Sequence, residues 1–162
     1  MTKNLEKIVI NVGLGKQSQM AQFKDKILPA ITEELSIITG QRPAVRQAKK
    51  AIAAFKTRVG DIIGLQVTLR HKFMNDFLKR LVNLALPRVK DFRGLPISNV
   101  DTEGNLNFGI KEQVVFPEIN QELSHVNFGL QITVVPSHIK NREEAVAVFR
   151  ALGLPLQKSK NT

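Results

Sequence analysis

Between Glu34 and Asp61 the chain carries no acid, yet it carries Arg42, Arg46, Lys49, Lys50, Lys56 and Arg58. Ammonium and guanidinium groups gathered this way neutralise phosphates. A flat ring among them, Phe55, can stack on a base or wedge between two. Arg46, Lys49, Lys50 and, further along, Arg70 are the candidate phosphate contacts. A solvated basic loop that binds nothing specific would show the same composition. The whole chain of 162 residues points the same way, with a formal charge of +10 and a pI near 10.2. Such a charge predicts a polyanionic partner. The alternative is a basic adaptor binding a membrane surface or an acidic protein. A membrane-surface adaptor needs an amphipathic basic helix with exposed apolar residues, whereas these cations fall in a loop and on strands.

Catalytic and metal-binding chemistry finds no constellation. The histidines, His71, His125 and His138, lie in unrelated segments, without metal-ligand spacing. Cysteine is absent, so there is no thiolate nucleophile, thiolate metal site or disulfide. No serine sits in a nucleophile elbow. Glu33-Glu34 and Glu143-Glu144 fall on predicted helices, as solvated faces or partners of the helix dipole. Asp101-Thr102-Glu103-Gly104-Asn105 reads as a turn; as a calcium loop it lacks the downstream glutamate. Gly13-Leu14-Gly15 follows a strand, but a dinucleotide fingerprint would need Gly or Ala where Ser18 stands. A tight turn using glycine's permissive backbone is the better account. The reading is therefore of a non-enzyme, without metal or cofactor.

These groups are positioned by alternating and helical patterns. Lys7–Val12 alternates, with Ile8, Ile10 and Val12 on one side and Asn11 on the other. Phe23, Ile27, Ile31, Leu35 and Ile38 recur at helical spacing, with Ser18 as the expected N-cap and Gly40 past the end. Two β-prone runs, Pro43–Ala48 and Leu65–His71, bracket a long loop, 49–64, of the length usually kept for function. In the second run Leu65, Val67, Leu69 and His71 face one side, His71 as a structural histidine, while Gln66, Thr68 and Arg70 face the other. Phe73–Leu86 is a second helix with a stripe of Phe77, Leu81, Leu84 and Ala85. The basic segment Arg88–Gly94 is either a second contact patch or a core plug through Phe92. Leu106–Ile110 and Gln113–Phe116 are short strands, and Phe128–Val135 alternates again. Asn141 caps a last helix with Glu144 placed for a capping box, and the tail from Lys158 through Lys160 is expected to be mobile. Glu6 stands where a secretory signal would need its apolar core, so residues 1–11 are not expected to be one, and no apolar run nears the roughly 18 residues of a membrane span. The order predicts one α+β domain over residues 1–162: a largely antiparallel sheet, helices on one face, the other open. Asn11, Gln66, Thr68, Arg70 and Thr133 would line that open face, where Asn11, Gln41 and Thr68 could hydrogen-bond sugars or unpaired base edges.

Six stretches in register carry a resemblance: 7–15 (KIVINVGLG), 38–43 (ITGQRP), 48–56 (AKKAIAAFK), 64–70 (GLQVTLR), 85–95 (ALPRVKDFRGL) and 108–119 (FGIKEQVVFPEI). Together the chain resembles the bacterial-type large-subunit ribosomal protein five family. The resemblance implies a structural constituent of the large subunit of a cytoplasmic or organellar ribosome, with no catalytic activity. It implies 5S rRNA on the open sheet face, with Asn11, Gln41, Phe55 and Thr68 at contact positions. It implies that the loop after Lys49 reaches P-site tRNA, through Lys56, Arg58 and Gly60. Further implied partners are 23S-type rRNA, neighbouring large-subunit proteins and a small-subunit head protein. The chain departs from the family pattern in starting almost at the first strand, in the segment Lys16–Lys24, in Ala54 where members commonly have glycine before the loop phenylalanine, and in lacking a basic residue near 126–129.

Overall fold

The computed structural model describes residues 3–158, Phe55 in its backbone only. The expectation of a mobile tail falls, for Ser159 and Lys160, outside the described residues. Five strands form one antiparallel sheet: β1 (Leu5–Gly13), β2 (Ala44–Gln47), β3 (Ile62–Leu69), β4 (Leu106–Ile110) and β5 (Leu130–Pro136). Their spatial order is β2-β3-β1-β5-β4. Three helices, α1 (Leu28–Thr39), α2 (His71–Arg80) and α3 (Arg142–Ala151), complete the expected α+β fold.

The alternation decides the sheet's orientation. Ile8, Ile10 and Val12 of β1, Leu65, Val67 and Leu69 of β3, and Leu130, Ile132 and Val134 of β5 are all buried. The helices bring Ile31, Leu35 and Ile38, then Met74, Phe77 and Leu78, then Ala145 and Phe149 into the same core. Burying each large apolar side chain contributes about 1.5–3 kcal/mol, so a register slip by one residue would expose a whole row. Phe77 and Phe116 stack at 5.8 Å in that core. The intervening strand residues Val9, Asn11, Gln66, Thr68, Thr133 and Asn107 are half-buried on the opposite face.

Several expectations need correction. Ser18 does not cap α1; it lies in a 3₁₀ turn and its hydroxyl donates to the Gly15 carbonyl at 2.8 Å. A wide π-turn over Phe23–Ile27 leads into α1 instead. A second wide turn, Leu81–Ala85, follows α2; its changed phase leaves Leu84 46% exposed, while Leu78 takes a core place. His71 is not on the apolar side of a strand: it opens α2, exposed, with φ of 53°. Gln113–Val115 is a 3₁₀ turn, not a strand. Neither Gly13 nor Gly15 has a positive φ, so the first glycine pair is not a turn that demands glycine. Phe92 packs partly buried against the core, which favours the plug over an aromatic contact. α3 begins as expected, with the Asn141 side chain accepting the Glu144 N–H at 2.8 Å. The Glu144 carboxylate reaches back one residue further than a capping box, to the Lys140 N–H.

Candidate nucleic-acid interface

The sheet pairing turns separate strand positions into rows on the open face. Ala44, Gln66, Asn11, Gln131 and Gly109 stand side by side across all five strands. The next row is Thr68, Val9, Thr133 and Asn107. Directly opposed residues lie about 4.5–5.5 Å apart at Cβ, so this face is a largely polar floor, interrupted by Val9 and Ala44.

Not every polar group there is available. The Arg46 Nε donates to Gln66 Oε1 at 2.6 Å, which holds the guanidinium over the sheet edge. Thr133 donates to Asn107 at 2.8 Å, and Asn107 in turn donates to Asp101 at 3.3 Å. Arg70 is not in β3; it precedes α2 and faces Glu6 across 3.7 Å, with both side chains about half exposed. Gln41 is exposed, and its side chain donates to the Thr68 carbonyl at 3.2 Å. By contrast Asn11, Thr68 and Gln131 make no side-chain hydrogen bond among the described residues. Sequence reasoning missed Gln131. The alternation around it is visible, but its place beside Asn11 depends on β1 pairing with β5.

The loop between β2 and β3 is shorter than predicted and is itself a small hairpin. Ile62–Gly64 belong to β3, so the connection ends at Asp61. Ala48 donates to Asp61 O at 2.8 Å and Gly60 to Ala48 O at 2.9 Å, closing the base. Ile52 and Thr57 exchange backbone hydrogen bonds of 3.1 and 3.2 Å nearer the tip. A 3₁₀ turn over Ala53–Phe55 makes the reversal, with Lys56 at φ 51°. Ala54 has no positive φ, so glycine's freedom is not needed there; Gly60, at φ 89°, does use it. The Asp61 carboxylate accepts the Arg58 N–H at 2.8 Å. Lys49, Lys50, Lys56 and Arg58 are exposed, beside apolar Ile52 (48% exposed) and Val59 (67%). The structure therefore places Asn11, Thr68 and Arg46 on the floor and Gln41 and Arg70 at one margin. Lys49, Lys50, Lys56, Arg58 and Gly60 lie on the projecting hairpin, with the Phe55 backbone at its tip.

Among the described residues, no three His, Asp or Glu side chains gather to hold a metal ion, and no helix is long and apolar enough to cross a membrane. A helix-backed antiparallel sheet with a polar face and a cationic hairpin defines an α+β class of protein suited to a polyanionic partner. The comparisons narrow the class. Residues 3–58 match the family described as Ribosomal protein L5, and residues 62–156 match the ribosomal L5P family C-terminus. A protein of Desulfosudis oleivorans called large ribosomal subunit protein uL5 is 46% identical over 94% of this chain and 83% of its own length. Proteins of the same name from Synechococcus sp. (50% identical, 93% and 81% covered) and Chlorobaculum tepidum (45%, 98% and 84%) are similarly related. The chain belongs to the ribosomal protein L5 family. Membership makes it a structural, non-enzymatic component of the large ribosomal subunit.

Proposed function

We propose that this chain, as a constituent of the large ribosomal subunit, holds 5S rRNA on the open sheet face and reaches P-site tRNA with the hairpin. The observation that carries this reading is the pair Asn11 and Thr68: half-buried polar side chains, on adjacent strands, that the fold leaves without a partner. Specific RNA recognition favours unpaired bases and sugar hydroxyls, which such groups can meet. Arg46, Lys49, Lys50 and Arg70 supply phosphate contacts around them, and Gln41 joins at the margin. Phe55 stacks or wedges at the hairpin tip. Lys56, Arg58 and Gly60 meet tRNA, where the positive φ of Gly60 lets backbone approach closely. Contacts with 23S-type rRNA, neighbouring large-subunit proteins and a small-subunit head protein complete the set of partners. Residues 1–162 act as one RNA-binding unit. The pairing of β3 with β1 on one side and β2 on the other supports this, since it joins the two family-matched regions in one sheet.

Titration of 5S rRNA across salt concentrations tests the reading. With about five phosphates neutralised, log Kd should change with log salt by a slope near 4 in magnitude. Thr68→Val should weaken binding by about 1 kcal/mol through loss of one hydroxyl contact. A flat salt plot, equal affinity for unrelated RNA, or unchanged binding in both Thr68→Val and Asn11→Ala counts against it.

A further inference from the structure

Toward the hairpin end of β1 and β3 the open face holds a notch of about 470 Å³. Its floor is backbone. Arg46 stands opposite Gly64, and Gly64 opposite Gly13, so two of the three positions in this row have no side chain. Asn11, Gln131 and Arg46 supply its polar walls.

The two glycines are there for different reasons. A Cβ on Gly64 would lie 2.8 Å from the Val12 carbonyl oxygen, so strand packing excludes any side chain. A Cβ on Gly13 would meet nothing within 4 Å, and Gly13 has no positive φ. A glycine inside a strand weakens it, and the surrounding structure gives no packing reason for this one. Its effect is to leave the notch open. Asn11 and Gln131, opposite one another in the ladder, edge that space with unpaired carboxamides. Each carboxamide presents a donor and an acceptor together, the pairing that reads a base edge. Arg46 is steadied at the rim by Gln66. A cavity of about 150 Å³ accepts a benzene ring, so this one has room for a nucleobase.

We infer that the notch is a subsite for a single everted nucleotide of the bound RNA. The base sits over the Gly13–Gly64 backbone, Asn11 and Gln131 hydrogen-bond its edge, and Arg46 holds its phosphate. This inference rests on the RNA-binding reading of the sheet face.

The experiment uses the full chain and Gly13→Val, which fills the notch, with Gln131→Ala as a second variant. Each is titrated with 5S rRNA and with 5S rRNAs carrying one abasic nucleotide at a time. Gly13→Val should match or exceed the wild-type Tm and lose roughly tenfold in affinity, the scale of one base contact. One abasic position should weaken wild-type binding by a similar factor and Gly13→Val no further. The subsite is overturned, with the sheet-face reading intact, if Thr68→Val weakens binding while Gly13→Val binds like wild type. It is equally overturned if no abasic position couples to Gly13. A wild-type chain without preference for 5S rRNA overturns both. Should Gly13→Val fail to fold, Gln131→Ala decides by the same coupling.

Discussion

Asp101 shows how much one short polar side chain organises. Its Oδ1 accepts the N–H groups of Glu103 and Asn105 at 3.0 and 2.9 Å, and its Oδ2 accepts from Asn107 at 3.3 Å. The turn is then closed by Gly104 at φ 87°, where a Cβ would collide with Ile139. Burial acts to raise the Asp101 carboxyl, but the hydrogen bonds from Asn105, Asn107 and Glu103 together hold it below its ordinary value of 3.8. The folded pKa is thus depressed. The carboxylate's contribution is complete above the unfolded pKa and is lost as pH falls through the folded one. Asp101→Asn should lower the Tm at pH 7 and narrow the gap between its Tm at pH 7 and at pH 3. An unchanged gap would mean this carboxylate does not govern the acid limb.

At the scale of elements, Gln113 joins the segment after β4 to α1 and to the stretch leading into β5. Fully buried, it donates to the Val126 carbonyl at 2.7 Å, Glu34 at 3.0 Å and Ser124 at 3.3 Å, and its Oε1 accepts the Phe128 N–H at 3.2 Å. A leucine there fills similar space but strands the buried Phe128 N–H, while the Val126 carbonyl keeps the Ser124 hydroxyl at 3.0 Å. Each buried group left unpaired costs about 1–3 kcal/mol. Gln113→Leu should therefore lower the urea midpoint by an amount equivalent to about 1–3 kcal/mol, with early amide exchange across residues 117–128. The hairpin between β2 and β3 contrasts with this segment. It is held by backbone hydrogen bonds at its base and middle, and it carries exposed Ile52 and Val59. Groups that the core does not use are free to meet a partner.

For the whole molecule, charge and topology act on different quantities. The net charge of +10 draws the chain to polyanions and sets the salt dependence, but it does not choose among RNAs. In the proposed function, choice comes from the neutral floor. The central position of β1, flanked by β3 and β5, makes the first strand in sequence the middle of the sheet's core region. One hydrophobic core spans Leu5 to Leu154. Thermal unfolding followed by far-UV circular dichroism and by amide signals from β2, β3 and β5 should show one coincident transition, as a single cooperative unit requires. Two separated transitions, divided near residue 60, would contradict the one-unit proposal.

Local pattern alone determined the class of element and the buried face in β1, β3, β5 and α1. In each of them a hydrophobic period of two or 3.6 has only one orientation that buries it. It also determined the basic hairpin, because charge density needs no fold to be seen. What the pattern left open were features set by partners far along the chain. The wide turn after α2 shifted the helical phase and put Leu84 outside the core. His71 left its strand because β3 ends at Leu69 and α2 begins with a left-handed residue. Gln131 joined Asn11, and the bare row of Gly13 and Gly64 came together, only through the register of three strands. Periodicity says which way a residue points; only strand pairing says what stands beside it.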